Sequence, residues 1–223
     1  LYRISHDFGE TFGPILKAPV SSPHGPTVLN DGTVLWVGRR LGVDNHIEAY
    51  VINTETGEMT LRGEMELYKY EDFKGLYFYE PHAIQLPNGR IICHMRVEND
   101  EETIFTLFQS VSDDNGRTWS PVRQIITDTS GAPAHLYMHS SGVLITAYSH
   151  RAYPYGIRVC MSEDGGESWG EEFTLFENIY SDDLGYPSTV ELADGSLLTV
   201  FYARESTEDY PAVIMQQKWS LEK

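Results

Sequence analysis

The chain has 223 residues with 16 basic and 33 acidic side chains, a formal net charge of −17. That field repels nucleic acid and anionic lipid, so neither is expected as a partner, and no run reaches the ~18 consecutive apolar residues of a membrane span. Apolar residues make up 41% and aromatics 12%, with 14 Tyr, which suits a sizeable core built from strands.

Two short motifs recur along the chain. The first reads Ser-x-Asp-x-Gly-x-(Ser/Thr)-(Trp/Phe) and opens the sequence at Ser5–Phe12. It returns at Ser112–Trp119 and Ser162–Trp169, after 107 and 50 residues, and Asn53-Thr54-Glu55-Thr56-Gly57 fits as a degenerate copy between the first two. Its Asp can cap the backbone of its own turn, its Gly permits positive φ, and its aromatic ring can be buried between neighbouring sheets. The second motif is a polar-Gly turn between apolar runs: Asp31-Gly32, Asn88-Gly89, Ser141-Gly142 and Asp194-Gly195. Such turns predict β-hairpins. A proline precedes each by several residues: Pro26, Pro81, Pro133 and Pro187.

The motifs interleave at a period of about 53 residues, so each unit reads as two hairpins that must pack against copies of itself, the pattern of a β-propeller blade. On this reading residues 1–223 form a single all-β domain. Residues 1–20 end one blade, 21–75, 76–127 and 128–178 are whole antiparallel blades, and 179–223 begin a last one. Cys93 and Cys160 each lie in an apolar run and are expected to be buried free thiols. No metal-ligand spacing is present, and no cofactor is expected.

Strand direction sorts the residues into two faces. If the strands of a blade run A, B, C, D, the polar-Gly turn joins A to B and the Asp motif joins C to D, so both turns share one face. The starts of A and the ends of B then share the other, near the axis. The A starts supply His24, Glu80, His82, His135 and Tyr186; the B ends supply Arg39, Arg96, Arg151 and the segment from Tyr202 to Arg204. Convergent arginines in an acidic protein point to a binding site on that face.

The first motif resembles the Asp-box of sialidases and related Asp-box propellers. That resemblance implies a six-bladed propeller with one and a half to two blades on the N-terminal side of Leu1. It also implies an exo-glycoside hydrolase that releases a terminal sialic acid with retention. Tyr186-Pro187-Ser188 is similar to the segment carrying the family's Tyr nucleophile, and Glu80-Pro81-His82 to the one carrying its Glu partner. Arg96 and Arg151 match two arginines of the carboxylate-binding triad, and Arg39, His24, His82 and His135 would add substrate contacts. A neutral Tyr suits an anionic sugar, which would repel a carboxylate nucleophile, and a hydrogen-bonded Glu can take its proton. The family's Phe-Arg-Ile-Pro segment and its acid/base Asp have no counterpart in the sequence, and Pro187 stands where Ser is the family's choice. Two other readings follow from the His-rich face and from the fold alone: a glycosidase or lyase for another sugar, and a non-catalytic module binding a glycan or protein.

Overall fold

The computed structural model describes residues 1–67, 73–101, 103–204, 206 and 211–221, and among them all regular structure is β. Four antiparallel sheets follow one another along the chain. The first holds β1 (Val20–Ser21), β2 (Thr27–Val28), β3 (Val34–Arg40), β4 (His46–Ile52) and β5 (Met59–Glu66). The second holds β6 (Leu76–Gln85), β7 (Ile91–Asn99), β8 (Phe105–Ser112) and β9 (Arg123–Gln124). The third holds β10 (Gly131–Met138), β11 (Leu144–His150), β12 (Gly156–Ser162) and β13 (Phe173–Glu177). The fourth holds β14 (Gly185–Glu191), β15 (Leu197–Ala203) and β16 (Val213–Trp219). The first strands of successive sheets, β2, β6, β10 and β14, lie side by side. This is the architecture of a β-propeller. No helix among the described residues is long and apolar enough to cross a membrane.

The Asp motif builds its turn by local hydrogen bonding. In the second copy Asp114 accepts the N–H of Arg117 at 3.0 Å and of Thr118 at 2.8 Å, while the Thr118 hydroxyl donates to its other oxygen at 2.7 Å. The Gly116 N–H donates to Ser112 Oγ at 2.9 Å, and Gly116 has φ 82°. The copies at Ser5 and Ser162 repeat the scheme. At residues 53–57 Asn53 takes the place of the Asp and accepts the N–H groups of Glu55 and Thr56. Side-chain bonds hold the two turn types together on one face: Arg90 to Asp113 at 2.8 Å, and Gln85 to Asn115 at 2.8 Å.

The core lies between neighbouring sheets. Trp169 of the third Asp motif packs against Leu86, Ile92, Leu136 and Leu144 and donates its indole N–H to Gln109 at 2.9 Å. Gln109 in turn donates to the Gly166 carbonyl of the next blade's motif at 2.9 Å. A buried ring thus brings its one polar atom to a partner across the seam. Cys93 and Cys160 are free and buried.

The histidines bind the inner strands to one another. The N–H of Leu136 on β10 donates to His82 Nδ1 on β6 at 2.9 Å, and the N–H of Thr189 on β14 donates to His135 Nδ1 on β10 at 3.2 Å. An Nδ1 that accepts carries no proton, so both rings are neutral with the proton on Nε2. His24, His82 and His135 form a three-ring cluster with centroids 4.6–4.9 Å apart. Desolvation lowers the pKa of His24 to about 4 and of His135 to about 3, and that of His82 well below its ordinary value.

Candidate active site

The face opposite the Asp motifs is shaped by a bulge in three of the four inner strands. The register slips between Tyr79 and His82, between Gly131 and Ala134, and between Gly185 and Ser188. Bulges of this kind re-aim side chains. In two of them the residue before the proline has left-handed backbone, Glu80 at φ 47° and Tyr186 at φ 50°. In the first sheet Gly25 occupies the corresponding place, at φ 75°. For a non-glycine residue this region costs on the order of 1–3 kcal/mol, and strain of that size collects at functional sites.

The two strained residues meet. The Tyr186 hydroxyl donates to one oxygen of Glu80, and Arg96 Nη1 donates to the other at 3.0 Å. Arg96 also binds Glu98, so two carboxylates surround one guanidinium. Desolvation, and next the bond to Glu80, pushes the Tyr186 pKa up to about 12, which keeps the phenol protonated at neutral pH. The Tyr186 ring stacks on Tyr202 at 6.1 Å. Tyr202 donates to Asp183 at 2.8 Å, and Arg204 Nε bonds the same carboxylate at 2.5 Å.

Beside this chain lies a cavity of about 540 Å³ lined by Arg96, Glu98, Phe105, Ser130 and Arg151, among others. Glu80 and Tyr186 join it through Arg96. Arg151 differs from Arg96 in having no carboxylate within ion-pair distance among the described residues, and its Nε is buried without a hydrogen-bond partner. Gly185 packs beside it: a Cβ there would crowd Ser149 Oγ at 2.9 Å, with Arg151 Nη2 in contact at 3.4 Å.

Of the residues singled out in the sequence, Tyr186, Glu80 and Arg96 form one bonded chain, and Arg151 shares the cavity with Arg96. Arg39 is held by Asp44 at 2.6 Å and lies over the Tyr79 ring. His82 and His135 spend their Nδ1 atoms on backbone of the next blade, and His24 packs against both rings. Sequence reasoning missed Phe105 and Asp183. Tyr202 stood at a B-strand end alongside the arginines, a signal that went unused. For a metal, His46, Glu48 and Glu64 have ligand atoms within 4.8 Å of one another. Yet Glu48 is bonded to Arg40 at 3.1 Å and to Tyr50 at 2.9 Å, and His46 to Glu64. All three side chains already have partners.

The family profile of the BNR repeat-like domain matches residues 3–199. The chain belongs to that family. No curated protein sequence matches this BNR repeat-like chain. Among solved structures it is similar to a Dyadobacter fermentans protein of unknown function, with a TM-score of 0.81 and 17% identity. That alignment covers 98% of this chain and 63% of the other, so the chain spans less than two thirds of that neighbour's length. An α-L-arabinofuranosidase from Fusarium graminearum, solved with an iminosugar inhibitor, aligns with a TM-score of 0.65 and 13% identity over 86% of this chain and 61% of its own. The Hadza microbial sialidase Hz136 aligns with a TM-score of 0.64 and 16% identity over 86% of this chain and 43% of its own. At such identities the likeness is one of fold.

Proposed function

We propose that this protein is a glycoside hydrolase that releases a terminal acidic sugar, sialic acid, with retention, using Tyr186 as nucleophile. The observation that carries this reading is the chain Tyr186–Glu80–Arg96, in which two strained backbone positions on different blades present a phenol to a carboxylate. The Tyr186 oxygen attacks the anomeric carbon and passes its proton to Glu80 as the bond to the leaving group breaks. Water then attacks the anomeric carbon and gives up one proton to the solvent, the bond from that carbon to the Tyr186 oxygen breaks, and Glu80 returns its proton to the phenolate oxygen. Arg151, which has no described carboxylate within ion-pair distance, receives the sugar carboxylate. Arg96 holds Glu80 in place and offers a second guanidinium at the same cavity. The leaving oxygen takes up a proton from water. His24, His82 and His135 serve the packing of the blades in this reading.

One observation favours a second reading, a glycosidase for a neutral pentoside. Glu80 and Glu98 cancel the charge of Arg96, and fold neighbours are described as arabinofuranosidases and arabinanases. Aryl sialoside and aryl α-L-arabinofuranoside assayed in parallel separate the two. The proposal expects turnover of the sialoside alone, with Tyr186→Phe lowering kcat by several orders of magnitude. Unchanged turnover in Tyr186→Phe, or hydrolysis of the arabinofuranoside only, would reject it.

A further inference from the structure

The arginines of three successive blades are separated by aromatic rings. The Arg39 guanidinium lies 4.3 Å from the centroid of Tyr79, and Arg96 lies 5.7 Å from the same ring. Arg96 is also 4.6 Å from the centroid of Phe105, and Arg151 is 5.3 Å from it. The order along the face is therefore cation, ring, cation, ring, cation. Arg39 and Arg96 each have a contact carboxylate as well; among the described residues Arg151 has none within ion-pair distance, and Asp183, which feels its charge at longer range, is itself bonded to Arg204. Phe105 sits at the seam between the second and third sheets, where its N–H donates to the Thr129 carbonyl at 2.9 Å. The N–H of Arg151 donates to the neighbouring Ser130 carbonyl at 2.8 Å, which ties both residues to one stretch of backbone.

We propose that Phe105 is a positioning residue that stands in for a contact counter-ion, holding the Arg151 cation at the cavity while leaving its guanidinium open to an anionic substrate group. A carboxylate in that place would fix the guanidinium but neutralise it. The negative face of an aromatic ring attracts a cation without neutralising it. The ring also separates Arg151 from Arg96, whose like charges share the cavity. The substrate half of this proposal rests on the acidic-sugar reading above; the placement of Arg151 by Phe105 does not.

Two replacements test it in the whole protein. Phe105→Leu removes the ring, and Phe105→pentafluorophenylalanine keeps its shape while reversing the sign of its face, which guards against a fold defect. Free sialic acid binding, read by calorimetry, should weaken about 3- to 30-fold in both. With aryl sialoside the change should fall on KM, with kcat within about twofold, and Phe105→Tyr should restore wild-type values. Unchanged affinity in the fluorinated protein would overturn the counter-ion role. The Arg151 Nε–H resonance, assigned by its loss in Arg151→Lys, should be displaced by the ring current in wild type and return to the ordinary arginine position in Phe105→Leu. No displacement in wild type would overturn the placement. Wild type that binds no sialic acid but keeps the displaced resonance would sink the acidic-sugar reading and leave the placement standing.

Discussion

Arg96 and Arg151 line one cavity but are held in opposite ways, and their variants should differ accordingly. Arg96 is fixed by Glu80 and Glu98, so Arg96→Met strands two carboxylates side by side and should lower both the urea midpoint and kcat. Arg151 bears no such pairing. Arg151→Met should leave the midpoint nearly unchanged and raise KM for an acidic glycoside by about 10- to 100-fold, the size of a lost charged hydrogen bond. Equal KM values in Arg151→Met and wild type would remove Arg151 from substrate binding. Gly185 at φ 142° packs beside it, and a Cβ there meets Ser149 Oγ at 2.9 Å. Gly185→Ala should therefore destabilise the fold, as urea unfolding would show.

The Asp motif and the hairpin turns were legible in the sequence because their chemistry is local. Ser112, Asp114 and Thr118 bond within a few residues of one another, and a spacing rule captures that. Strand direction, counted from those turns, also assigned Glu80, Arg96, Arg151 and Tyr186 to the face opposite the motifs. The left-handed backbone of Glu80 and Tyr186 was hidden, because nothing about Glu or Tyr before proline announces it. The use of the histidines was hidden too. His82 and His135 stand at A-strand starts like the site residues, but their Nδ1 atoms meet backbone 54 residues away. Phe105 read as one more apolar strand residue, since its value lies in which cations flank it. At the seam between the second and third sheets the aromatic of the third motif packs against both, while Phe12 of the first motif is exposed. Trp169→Ala opens a cavity between the second and third sheets and should cost about 3–5 kcal/mol in urea unfolding, with KM unaffected. A change in KM without loss of stability would mean that the Asp-motif face reaches the site.

At the scale of the whole molecule, a column of neutral imidazoles joins the blades. Burial lowers the folded-state pKa of His24 to about 4 and of His135 to about 3, and holds that of His82 well below the ordinary 6.5. The sign follows from linkage. Below pH 6.5 the unfolded chain takes up protons that the folded chain refuses, so this stability is fully present above pH 6.5 and is lost as pH falls towards the folded values. Each fully coupled histidine contributes up to about 1.4 kcal/mol per pH unit in that window. The urea midpoint should drop clearly from pH 7.5 to pH 5.5, and His135→Gln should flatten the dependence; equal wild-type midpoints at the two values would refute the coupling. The same packing of inner strands sets Tyr186 of β14 against Glu80 of β6, and the functional account depends on that meeting. Its most direct test is to inactivate the protein with a fluorinated sialosyl fluoride and map the labelled peptide by mass spectrometry. The account predicts one sugar on the Tyr186 oxygen, accumulating more slowly in Glu80→Gln. A label on a carboxylate, or inactivation that leaves Tyr186 unmodified, would contradict it.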